Sequence, residues 1–195
     1  MSTFTRPGML LFVIALTGCA HKYYFHPIQH TEALDKEASV LVTLPADGSL
    51  ERIQYAGSGR QAARAVAAAF AKYVKRVDIM ERTSGHEEQL AAARAGKFDL
   101  LAAVSISHWE DRATESGGPE RIEVELRTIR VSNGATLNLG SVQGKAKRAT
   151  FGGSPEDLLE QPLAEYVGWL FTPPGTPAPT VLERTRPVNA PRRLQ

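Results

Sequence analysis

The longest unbroken apolar run comes first, at Met9 to Leu16. Beyond it the chain turns polar, with Pro27 and no clean period, so residues 19–37 read as a tether. Such a segment reaches about 60 Å fully stretched and about 25 Å as a flexible coil. Regular patterning starts at Ser39 to Leu44 (SVLVTL), a short β-rich run closed by Pro45, which predicts a buried strand. Ala46-Asp47-Gly48-Ser49 then signals a turn.

From Ser58 the period changes to that of a helix. Ala62, Ala65, Val66, Ala69, Phe70, Tyr73 and Val74 make one apolar face, small enough to lie close against a sheet. Ser58 and Gln61 have the spacing of a capping box, as do Ser84 and Glu87 at the next helix, His86 to Ala95, which Gly96 ends. Between them Arg76 to Glu81 alternates as a strand. Phe98 to Ser107 is apolar enough for a central one. Arg121 to Val131 alternates strictly, and Asn133-Gly134 signals a tight hairpin returning through Thr136 to Thr150. A last helix is expected from near Ser154, with Pro155 at its first position and Pro162 kinking or splitting it. The fold class is α/β (α+β): one domain over 38–171, β-α-β-α-β then a hairpin and a C-terminal helix, with helices packed on a mixed sheet. Residues 172–195 are proline-rich and read as a disordered tail.

The amino terminus supplies an address. Arg6, the apolar run and the small pair Thr17-Gly18 describe a signal peptide over 1–18, too short to span a bilayer. Leu16-Thr17-Gly18-Cys19 resembles the bacterial lipobox, which implies acylation of Cys19 and cleavage before it. Cys19 is the only cysteine, so it is expected to be an anchor rather than a redox group. Ala20, where an Asp would favour inner-membrane retention, implies export to the outer membrane, facing the periplasm. Tyr23-Tyr24-Phe25 would either rest among headgroups or pack on the domain.

The bulk numbers exclude more than they assign. A net charge of +2 over 195 residues argues against nucleic acid as the main partner. One cysteine rules out an intrachain disulfide and a cysteine-rich zinc site. His21, His26 and His30 scatter through the tether, and Pro27 argues against a helix that would align His26 with His30 for metal. No metal and no cofactor is expected. Lys145, Lys147 and Arg148 form a small basic group, read as a solvated strand face or as a patch drawn to anionic lipid.

Two clusters carry candidate chemistry. His108-Trp109-Glu110-Asp111-Arg112, with Glu115 nearby, sets a histidine beside carboxylates, as general acid–base work requires. Strand alternation lets only His108 and Glu110 share a face with Arg112, and places Trp109 in the core. Gly57-Ser58-Gly59-Arg60 opens a helix, where free amides favour anions, but the spacing fits neither a P-loop nor a dinucleotide fingerprint. Plain capping is the simpler reading. Ser58 and Arg60 contacting an anion is the other.

LPADG (Leu44–Gly48), YAGSG (Tyr55–Gly59), the alanine-rich helix, ISHWEDRATE (Ile106–Glu115) and ATFGG (Ala149–Gly153) together resemble a family of proteobacterial lipoproteins known only as a domain of unknown function, number 4823. The likeness runs from about Ser39 to Phe171. It implies no activity, and directs attention to Trp109, Glu110, Asp111, Arg112, Phe151, Gly152 and Gly153. The element order also looks loosely like the small N-terminal domain of the Tol–Pal propeller protein, a likeness of fold alone. Three functions follow as expectations. The first is a lipid-anchored accessory module binding an envelope protein. The second is a small-ligand or anion-binding module in which the Ser58 helix start meets the HWED strand end in a pocket. The third is a hydrolase using His108 and Glu110.

Overall fold

The computed structural model describes residues 20–110, 120–146 and 158–185, with side chains described for 21–110, 120–146 and 158–180. Cys19, Asp111, Arg112, Glu115 and Phe151–Gly153 lie outside them. Among the described residues nine strands appear in chain order: β1 Ala20–His30, β2 Ser39–Val42, β3 Ser49–Leu50, β4 Ile53–Gln54, β5 Arg76–Ile79, β6 Leu100–Glu110, β7 Arg121–Arg130, β8 Thr136–Ala146 and β9 Val181–Thr185. The helices are α1 Ser58–Phe70, α2 His86–Ala95 and α3 Glu160–Leu170.

Seven strands form one sheet in the order β5-β2-β6-β7-β8-β1-β9, and β3 and β4 pair as a small hairpin. β2 runs parallel to β5 and β6; every other neighbour in the large sheet is antiparallel. The parallel part is the β-α-β-α-β half, where α1 and α2 make the crossovers. The antiparallel part is the hairpin and its flanking strands.

The helices divide unequally between the faces. α1 and α3 cover one face, over Val40, Val42, Ala102, Trp109, Ile122, Val124 and Val142. Ala62, Ala63 and Ala69 are buried in α1, and such short side chains bring its backbone close to its neighbours. α2 covers the other face only near β2 and β6, over Leu41, Leu101 and Ile129. The rest of that face, on β7, β8 and β1, has no helix over it among the described residues.

The tether expected at 19–37 is instead strand β1, paired with β8 and β9. Its alternation is real: His21, Tyr23 and Phe25 are buried, while Lys22, Tyr24 and His26 take the uncovered face. Tyr23 and Phe25 therefore pack in the core rather than among headgroups. Pro27 is tolerated because the odd residues of β1 turn their N–H toward β9, as Phe25 does to the Thr180 carbonyl at 3.2 Å, and that ladder ends before Pro27. Leu34 and Ala38 extend the core beyond the strand.

The expected disordered tail is likewise folded over 172–185. The indole N–H of Trp169 donates to the Thr176 carbonyl at 3.0 Å, and β9 pairs with β1. Residues 186–195 lie outside the described residues.

The last helix begins at Glu160, not near Ser154, whose neighbourhood is not described. Pro162 falls in its first turn, where no intrahelical N–H is needed, so α3 runs unbroken past it. Neither capping box forms. α1 and α2 start after Gly57 and Gly85, with no side-chain cap from Ser58 or Ser84.

Candidate functional site

Three of the motif segments meet at the start of α1. Past Pro45 the chain turns, and the Asp47 carboxylate accepts the N–H groups of Gly57 at 3.0 Å and Gly59 at 2.8 Å. Gly57 enters the helix at φ 87°, which favours glycine. Ser58 is buried and points inward, its hydroxyl accepting the Gly48 N–H at 2.8 Å. Gly48 in turn lies against Trp109: a Cβ there would come within 2.6 Å of the Trp109 Cβ. The Tyr55 N–H donates to the Gly48 carbonyl at 2.9 Å and closes the loop.

Asp47 already supplies negative charge where the helix dipole and free amides favour it. Arg60 is exposed beside a hollow of about 220 Å³ formed with Leu44, Pro45, Asp47, Gly57 and Thr83. His108 and Glu110 do not reach that hollow, because they sit on the opposite face of the sheet. Trp109 and Ser58 are joined through Gly48, while Asp111 and Arg112, the rest of that strand end, lie outside the described residues.

His108 and Glu110 do share a face. The register with β7 shifts between Ile106 and His108, so Ser107 is a bulge and both Ile106 and Trp109 pack toward the α1–α3 side. Nε2 of His108 lies 3.3 Å from a Glu110 carboxylate oxygen. Across the sheet, His108 opposes Glu123. Burial alone would raise the Glu123 pKa, but donation from Gln143 (3.0 Å), Ser141 (3.2 Å) and Arg121 (3.2 Å) outweighs it and holds the carboxyl low. Glu123 is thus fixed as an anion in a polar row. Imidazole and carboxylate can share a proton here, and both side chains are largely buried, 23% and 14% exposed.

The larger concavity has no counterpart among the sequence motifs. About 580 Å³ opens at the far end of the sheet, among Glu32, Asp35, Arg94, Phe98, Asp99 and Arg130. Arg130 pairs with Glu32, and the N–H and hydroxyl of Ser39 at 2.8 and 2.7 Å lower the Asp99 pKa. These residues come from three distant parts of the chain, so no spacing announces them.

Two of the three histidines of the amino-terminal segment are built in, and His26 is exposed. His21 is buried. His30 contacts the Asn138 side chain, lies 2.9 Å from the Thr172 carbonyl, and packs on Trp169 at 4.4 Å between ring centroids. Among the described residues no group of three or more His, Cys, Asp or Glu could hold a metal. Among them no helix is long and apolar enough to cross a membrane.

Fold and junction define a mixed-sheet α+β domain with helices packed on the sheet. The chain belongs to the family described as a domain of unknown function, DUF4823, whose profile matches residues 32–170. Crystal structures of the PelC dodecamer from Paraburkholderia phytofirmans share the fold. One, at 16% identity, has a TM-score of 0.55 and covers 76% of this chain and 96% of that one. A point variant of the same dodecamer, at 17% identity, has a TM-score of 0.56 and covers 76% and 97%. The lipoprotein GNA1162 from Neisseria meningitidis matches more weakly, at 17% identity and a TM-score of 0.44, covering 68% of this chain and 97% of its own. No functionally curated protein matches the chain.

Proposed function

We propose that this chain is a lipoprotein of the outer membrane, held at the periplasmic face by acylated Cys19, and that its domain works by binding envelope proteins. The observation that carries this reading is the place of β1. The lipobox cysteine is followed at once, from Ala20, by a strand in the interior of the sheet. An acyl group on Cys19 would therefore hold the folded domain itself against the bilayer. Three acyl chains would make that attachment effectively permanent.

Binding is favoured over catalysis by what the motif residues do. Asp47, Gly48, Ser58 and Trp109 hold one another, and His108 pairs with Glu110 beside Glu123, which is itself tied to Gln143, Ser141 and Arg121. PelC is described as a dodecamer, so a second copy of this chain is the first partner to look for. In-cell crosslinking of the full-length protein, with Cys19→Ala as control, tests the reading. A dominant self- or envelope-protein product that disappears in the control supports it. Abundant acylated protein with no crosslinked product contradicts it.

A further inference from the structure

The uncovered face of the sheet has a charge order that the register makes explicit. In its end row Arg121 opposes Lys145, and Lys145 opposes Lys22, on the neighbouring strands β7, β8 and β1. Glu110 stands opposite Arg121 at one side, and Glu183 opposite Lys22 at the other. Cross-strand partners lie about 5 Å apart, and like charges placed so repel. Lys145 is exposed, with a cation on each side, and forms no ion pair among the described residues. Arg121 reaches Glu123 at 3.2 Å, one row further in.

We propose that Arg121, Lys145 and Lys22 form a seat for the phosphates of anionic phospholipid headgroups, and that the domain stands on this end row. The proposal rests on the anchoring reading above. Lys22 follows Cys19 by three residues, which is about 10 Å of extended chain, close to the screening length of about 8 Å at physiological salt. An acyl group at Cys19 would bring the row within electrostatic reach of the headgroups. Lysine and arginine stems can then extend the charge toward the interface. The next rows explain why the sheet does not lie flat. They carry Glu123 and Glu125 on the same face, and both carboxylates repel an anionic surface. The cations at the end attract it, so the favourable pose is upright. Tyr24, half-buried on the uncovered face beside Gln143, is an amphipathic ring of the kind favoured at headgroup depth.

The test is lysine footprinting of the acylated protein in vesicles of phosphatidylcholine alone or with added phosphatidylglycerol. A membrane-impermeant amine reagent is followed lysine by lysine by mass spectrometry. Lys97, exposed just before β6 at the opposite end of the sheet, serves as reference. Lys145 and Lys22 should react roughly fivefold more slowly relative to Lys97 when phosphatidylglycerol is present, and high salt should abolish the difference. The mass of the amino-terminal peptide in the same digest reports acylation. Acylated Cys19 with equal rates in both vesicles overturns the cation seat alone. An unmodified Cys19 overturns the anchor, and the seat with it.

Discussion

Asp47 and Gly59 are joined by a carboxylate–amide hydrogen bond of 2.8 Å, and the second carboxylate oxygen takes the Gly57 N–H. A loop residue thereby closes the start of α1 in place of the serine inside the helix. Asp47→Ala leaves two amides without this acceptor and should cost about 1–2 kcal/mol. Asp47→Asn retains one acceptor oxygen and should cost less. Urea unfolding of the three proteins checks the order.

Gly48 has no room for a side chain. An alanine there would press on the Trp109 Cβ at 2.6 Å and on Ile106 Cγ2 at 3.0 Å. The Trp109 atom is tied to its own backbone, so relief requires moving the strand. Gly48→Ala should destabilise the domain by about 1–3 kcal/mol. A loss below a few tenths of a kcal/mol would mean the junction is looser than these distances.

β1 distinguishes a strand from a tether. Phe25 is buried and stacks on Tyr166 with ring centroids 6.5 Å apart. Phe25→Ala should cost about 3–5 kcal/mol, whereas the same change in a solvated tether would cost almost nothing. Thermal unfolding separates the two.

Glu123 gives a pH signature. Its folded-state pKa lies below the ordinary value of 4.5, so ionisation favours the folded state. The contribution is fully present above the unfolded pKa and disappears as pH falls through the lower folded one. Relative to Glu123→Gln, the wild type should therefore lose stability more steeply on acidification below about pH 5. Parallel acid limbs for the two proteins would rule out the low carboxylate.

Much of the central architecture is legible in the chain. The hairpin follows from strict alternation at Ile122, Val124 and Leu126 and from Asn133-Gly134, where Gly134 adopts φ 72°. The β-α-β-α-β half follows from period changes at Ser58 and Phe98. β1 is hidden because its uncovered face is polar and Pro27 interrupts it. β9 is hidden behind a proline-rich stretch, although Val181 and Leu182 are strand formers. Asp47 reads as an ordinary turn residue because the amides it serves lie beyond the β3–β4 hairpin. The local capping pattern at Ser58 loses to such a non-local partner, the Gly48 N–H, and the bulge at Ser107 is invisible to a strict period of two.

The central claim is that an acyl anchor on Cys19 runs directly into the sheet. The mass of the amino-terminal peptide from membrane-purified protein tests it most directly. The account predicts a peptide beginning at Cys19 and carrying a thioether-linked diacylglyceryl group with an N-acyl chain. A mature terminus elsewhere, or Cys19 with a free thiol, would contradict it.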